Sequence, residues 1–257
     1  MSFENISLVI EDKIALVKID RPKFLNALNK LTILELSSCL DGLENDPNVR
    51  VIVLTGEGQK AFVAGADIKE FEGFNKEQGK QLSKEGQDLL FSKVNALSKP
   101  TIAAINGFAL GGGLELAMSC HIRMASENAK LGLPELSLGL IPGYGGTQRL
   151  MKLIGKGRAL ELMLSSNMIG AKQAFDFGLV NHVFSSENLL AETFKLARKI
   201  AVNSPFAVSK ALKAVQIGSD SSTGLNAEIE LFGDCFGTDD FKEGTTAFLE
   251  KRKPNFK

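Results

Sequence analysis

The chain has 257 residues, 44% of them hydrophobic and 23% charged, the balance of an ordinary globular protein of one or two domains. Lysine plus arginine number 30 and aspartate plus glutamate 30; the zero net charge argues against a non-specific binder of nucleic acid or another polyanion, though a local anion site needs no net charge. Cys39, Cys120 and Cys235 are widely spaced with no CxxC pair, and no run of about 18 apolar residues is present, so a reducing, cytoplasmic setting without a membrane span is expected.

The opening MSFENISLVIEDK has neither the basic start of a secretory signal nor the Arg-rich character of a transit peptide. Instead Ile6, Leu8 and Ile10 alternate, Glu11-Asp12-Lys13 turns the chain, and Ile14, Leu16 and Val17 resume, which predicts a β-hairpin. Leu31, Leu34, Leu40 and Leu43 predict an amphipathic helix over 29–45. Residues 49–54 read as a buried strand, 57–66 as a loop of small residues and 76–96 as a helix. A second buried strand is expected at 101–105, then an apolar helix from the glycine run 111–113 through Ser119, a third strand at 121–125 and another at 179–184. From Ser185 to the end the chain reads as helices. The pattern is an α/β core with a helical tail, and composition changes near 190–200, so a core over 1–195 and a C-terminal helical region over 196–257 are expected.

The segment 98–150 carries the chemistry. Three consecutive glycines at the start of a helix are poor helix formers, but they allow close approach to a backbone whose free N–H groups can hold a developing oxyanion. Tight helix–strand packing is the plain alternative. Glu115 follows on the first turn of a helix that is apolar nearly all round. A lone acid there is ordinarily a partner of the helix dipole, yet a buried carboxylate has a raised pKa and suits acid–base work. Glu135, after Pro134, is a second acid in apolar surroundings, and the two could share one water. Upstream, Asp67 and Glu70 fit a capping box at a new helix start, which would put the N–H of Ala66 at the mouth of that helix. Lys69 reads equally well as a solvated charge.

Taken together, several stretches resemble the crotonase, or enoyl-CoA hydratase/isomerase, superfamily along essentially the whole chain. They are Arg21-Pro22 with Asn26-Ala27-Leu28, then 64–70, 102–122, Pro134-Glu135 and Ile141-Pro142-Gly143. Gly145-Gly146-Thr147-Gln148-Arg149-Leu150, Thr238-Asp239-Asp240, Lys242-Glu243-Gly244 and 248–253 complete the match. The resemblance implies a spiral of ββα units with a C-terminal helical region for trimerisation, trimers that stack as hexamers, and an acyl-CoA thioester as ligand. It implies that the N–H groups of Ala66 and Gly112 form the oxyanion hole, that Ala66, Asp67, Ile68 and Lys69 line the CoA site, that Glu115 and Glu135 are the catalytic acids, and that the N–H of Gly143 positions the water. His121 stands where the family often has aspartate; a packing or surface role is expected for it, and a structural one for His182.

The activity so implied is hydration of a trans-2-enoyl-CoA to a 3-hydroxyacyl-CoA, with Glu115 as base on water and Glu135 supplying the C2 proton. No metal or cofactor is expected beyond the CoA of the substrate. One carboxylate would suffice for double-bond isomerisation, so the pair favours a hydratase. An acyl-CoA hydrolase, or a non-catalytic scaffold or RNA-binding member, fits less well. No Gly-x-Ser-x-Gly supports a serine hydrolase, and the glycines do not form a dinucleotide-binding Gly-x-Gly-x-x-Gly. Phe71 and Phe74 are candidates for shaping the acyl-chain pocket.

Overall fold

Asp12 and Lys13, with φ of 51° and 64°, make the two-residue turn that joins antiparallel strands β1 (Ile6–Glu11) and β2 (Ile14–Ile19). This is a computed structural model that describes residues 3–218 and 222–256. Asn29 caps helix α1 (Lys30–Asn45) by accepting from the Thr32 N–H at 2.9 Å. The chain then winds as a spiral. One turn holds β3 (Val51–Gly56), β4 (Ala61–Val63), α2 (Lys76–Gly86), a π-helical stretch Gln87–Phe91 and α3 (Ser92–Ala96). The next holds β5 (Thr101–Ile105), β6 (Phe108–Leu110) and α4 (Gly112–Ser119). The third holds β7 (Ile122–Ser126), β8 (Lys130–Gly132), a 3-10 turn Pro134–Leu138, α5 (Gly146–Ile154) and α6 (Lys156–Ser165). Then come β9 (Met168–Gly170), α7 (Ala171–Asp176), β10 (His182–Phe184), α8 (Leu189–Ala201), α9 (Pro205–Ile217), α10 (Ser222–Gly233) and α11 (Asp239–Leu249).

Each turn contributes one strand to each of two sheets. Among the described residues one sheet has the order β1-β2-β3-β5-β7-β10 and is parallel beyond the first hairpin; the other has the order β4-β6-β8-β9. Strands β3 and β5 are buried throughout, so both faces of the first sheet are covered. Period-two alternation divides them: Val51, Val53, Ile102 and Ala104 pack with Leu189 and Ala197 of α8, while Ile52, Leu54, Ala103 and Ile105 join the main core. Arg50, just before β3, donates to the carbonyls of Ala201 and Asn203 at 3.1 and 3.4 Å and of Phe256 at 2.7 Å. The later helices carry outward apolar side chains: Leu225, Ile229 and Phe232 of α10, and Phe248 of α11, are 65% or more exposed.

Several expectations need correction. Residues 57–66 are not all loop, because 61–63 form β4. The strand expected over 179–184 is confined to His182–Phe184, since Leu179 and Val180 hydrogen-bond back to the end of α7 through the Ala174 carbonyl and fill the core. The strand expected from 121 begins at Ile122. The helices from 185 onward are α8 to α11; residues 219–221 and 257, within that expectation, lie outside the described residues, as do 1 and 2 of the leader reading.

Candidate active site

The glycine run bends the end of β6 into the start of α4. Gly111 has φ 49° and ψ −126°, a conformation costly for any residue with a Cβ, and a Cβ there would also stand 2.8 Å from Glu135 Oε1. At Gly113 a Cβ would lie 1.9 Å from the carbonyl oxygen of Val63, so glycine is what lets α4 seat its first turn against β4. Gly112 is different: a Cβ would meet only the Tyr144 ring at 3.6 Å and the Ala66 nitrogen at 3.7 Å. That distance puts the Gly112 backbone directly beside Ala66. As the first residue of α4, Gly112 also has an N–H that the helix itself does not use.

Ala66 is held by a single parallel bridge to Leu28. The Leu28 N–H donates to Gly65 O at 2.9 Å and the Asp67 N–H to Leu28 O at 2.8 Å, which turns the N–H of Ala66 to the opposite side, toward Gly112. The Arg21-to-Leu28 segment supports this edge. Buried Asn26 accepts from the Arg21 N–H at 3.0 Å and donates to the carbonyls of Ala61 and Glu57 at 2.8 and 3.0 Å. Arg21 bonds the Ala27 carbonyl and pairs with Asp67 at 3.2 Å. The expected Asp67–Glu70 capping box is therefore absent: Asp67 makes no cap bond, because Arg21 takes its carboxylate, and Glu70 accepts instead from the Lys30 N–H at 2.7 Å.

Glu115 is 1% exposed and held from one side: its Oε1 accepts from the N–H groups of Tyr144 at 2.8 Å and Gly146 at 2.7 Å. Burial pushes its pKa up to about 7 against the pull of the Gly146 bond; the charge of Glu135 adds to the rise, and the Tyr144 bond and Arg149 oppose it. Glu135 sits in the 3-10 turn behind Pro134, and burial raises its pKa too, with Oε2 buried and unpartnered. Both acids line one cavity of about 490 Å³ together with Ala66, Gly111, Gly112 and Gly143. Ile68, Phe71 and Phe74 also line it; Lys69 is exposed and does not.

The segment 142–149 gains its shape from α2 and its π-helical continuation. Ser83 Oγ donates to the Gly143 carbonyl at 2.6 Å and Gln87 Nε2 to the same oxygen at 2.9 Å. Tyr144, the sole tyrosine, is 7% exposed and stacks on Phe91 with centroids 4.5 Å apart and planes 9° apart. A Cβ at residue 86 would lie 2.3 Å from its ring, so Gly86 makes the room. Arg149 reaches back to donate to Tyr144 O at 2.7 Å and Phe91 O at 3.3 Å. Ser83, Gln87 and Tyr144 went unseen in the sequence, because nothing local marks a loop and a helix far apart in sequence as neighbours. His121 lies off the cavity: Nδ1 accepts from the Thr101 N–H at 3.0 Å, and burial lowers its pKa.

The model of the family described as Enoyl-CoA hydratase/isomerase matches residues 9–257. A crotonyl-CoA hydratase of Syntrophomonas wolfei is 47% identical over 258 residues, covering 100% of this chain and 99% of that protein. A short-chain-enoyl-CoA hydratase of Clostridium acetobutylicum is 47% identical over 255 residues, covering 98% and 97%. The crystal structure of an enoyl-CoA hydratase from Bacillus anthracis superposes with a TM-score of 0.94 at 42% identity, covering 99% of each chain.

Proposed function

The chain belongs to the enoyl-CoA hydratase/isomerase family, and from that premise we propose that it adds water across the C2=C3 bond of a short trans-2-enoyl-CoA to give the 3-hydroxyacyl-CoA. The observation that carries this reading is the convergence of one buried carboxylate, one half-buried carboxylate and the neighbouring Ala66 and Gly112 backbones on one cavity. The N–H groups of Ala66 and Gly112 hold the thioester oxygen, and each such donor is worth about 10²–10³ in rate. Ionised Glu115 takes a proton from water as its oxygen bonds C3. The π electrons of the alkene move to the carbonyl oxygen, giving an enolate. Protonated Glu135 delivers its proton to C2. Gly143 positions the water. Passage of the proton from Glu115 back to Glu135 restores the starting pair, so the atoms balance with water alone and the proposal includes no metal or redox cofactor.

The hydrogen bonding supports this division of labour. Two N–H groups on Glu115 Oε1 favour the anion, whereas the unpartnered, buried Oε2 of Glu135 favours the neutral acid. Ala66 and Ile68, which line the cavity, are given to the CoA moiety together with Asp67, held by Arg21, and exposed Lys69, which stand outside the lining, with the Lys69 cation available to its phosphates. A homotrimer or a stacked pair of trimers is supported by the outward apolar side chains of α10 and α11, and a cytoplasmic setting by the three free cysteines.

Purified protein is expected to hydrate crotonyl-CoA with no added cofactor and to act far more slowly on a 3-enoyl-CoA; the reverse preference would make it an isomerase. Because Glu115 must be ionised and burial holds its pKa at about 7, kcat/KM is expected to fall below about pH 7. A pH–rate profile that stays flat to about pH 5 would contradict the role given to Glu115.

A further inference from the structure

We propose that Ser83 and Gln87 are positioning residues for the reaction: they clamp the Gly143 carbonyl and, through the Gly143–Tyr144 peptide, aim and strengthen the N–H that holds Glu115. The inference rests on the acid–base role given to Glu115 above.

The Gly143 carbonyl and the Tyr144 N–H are the two ends of one planar peptide unit. At one end the oxygen accepts from Ser83 Oγ at 2.6 Å and from Gln87 Nε2 at 2.9 Å. At the other end the N–H donates to Glu115 Oε1 at 2.8 Å. Rotating the carbonyl would rotate the N–H with it, so the orientation of the carboxylate is set by Ser83 at the cavity wall and Gln87 behind it. Two donors on an amide oxygen also draw electron density from its nitrogen and make the N–H a stronger donor, a cooperative gain of about 10–30% per bond.

The clamp is built into the helix. Ser83 and Gln87 are four residues apart, hence on one face, and Gln87 Nε2 also reaches Ser83 Oγ at 3.3 Å. Gln87 is the residue at which α2 gives way to the π-helical stretch, and that same stretch ends at Phe91, the ring beneath Tyr144. Irregular helix of this kind is frequent at functional sites. Both lone pairs of one loop carbonyl are filled by side chains, although it borders a cavity where water could serve. The titratable groups facing Glu115 are Glu135 on the 3-10 turn, Arg149 on α5 and the Tyr144 phenol, and substitution of Ser83 or Gln87 leaves all three in place.

The test compares Ser83→Ala, Ser83→Thr, Gln87→Met and Glu115→Gln with the parent enzyme on crotonyl-CoA across pH, alongside thermal unfolding. Ser83→Ala and Gln87→Met are expected to unfold cooperatively and keep KM within about twofold while kcat falls about tenfold. A weaker N–H bond favours the anion less, so the acid limb is expected to move upward by about 0.5 pH unit. Ser83→Thr, which retains the hydroxyl, restores both. An unchanged kcat and limb in both variants overturns the proposal. So does a fall in kcat with an unmoved limb and no rescue by threonine, since that is loss of packing alone. Glu115→Gln separates the two levels. If it is inactive while the clamp variants behave as wild type, only this inference fails; if it is active, the role of Glu115 fails and takes the inference with it.

Discussion

Glu115→Gln is expected to lower kcat for crotonyl-CoA hydration by about 10³–10⁴-fold and, at pH 8, to make the protein more stable. Glutamine keeps a carbonyl oxygen for the N–H groups of Tyr144 and Gly146, so the segment 142–149 retains its anchor. What it loses is the capacity to take a proton from water. It also loses a desolvated charge. A carboxyl raised from 4.5 to about 7 by folding favours the folded state fully only below the lower value, and that contribution disappears as pH climbs through about 7. Above pH 7 the wild type bears a penalty of about 3 kcal/mol that the amide does not. Denaturant titrations at pH 5 and pH 8 check this: the stability gain of the variant should be confined to the higher pH. Glu135→Gln is expected to show a comparable loss of rate, because the enolate then lacks its proton donor. Rates within tenfold of wild type for either variant would dissolve the two-acid mechanism.

Substitutions at neighbouring glycines should part company. Gly112→Ala is expected to fold normally, since its methyl meets only ordinary contacts at 3.6 and 3.7 Å, yet to lose about 10²–10³ in kcat/KM because that methyl intrudes beside the two N–H donors. Gly113→Ala is expected to damage the fold itself: its Cβ would lie 1.9 Å from a backbone oxygen of Val63, so α4 must lift from β4. Melting temperatures and steady-state kinetics measured together distinguish the two. A Gly112→Ala protein with normal turnover would remove Gly112 from the oxyanion site.

Residues that were legible in the sequence share a physical reason. The hairpin and α1 declare themselves through the periodic spacing of apolar residues along a single element, and β3 and β5 through short unbroken apolar runs that are buried throughout. Glu115 stands out because an acid interrupts an apolar helix, and Glu135 because it follows a proline in apolar surroundings. Strands β4, β6 and β8, three residues each, are too short to show alternation, so the second sheet stayed hidden although it supplies the edge beneath Gly113. Asp67 was misread because its distant partner Arg21 outcompetes the local cap. Tyr144, Ser83 and Gln87 were silent, since their roles depend on a helix meeting a loop some sixty residues away.

Arg50 has a consequence for how the molecule comes apart. It is 9% exposed, and its three partners, all in the C-terminal region, are the uncharged carbonyls of Ala201, Asn203 and Phe256. Trimming the chain back past Phe256 would remove the shortest of its three carbonyl bonds and leave this largely buried cation short of an acceptor next to β3, a cost that falls on the centre of the sheet. Calorimetry should therefore record one endotherm for core and tail together, and carboxypeptidase digestion beyond Phe256 should depress that transition as a whole instead of shedding an independent appendage.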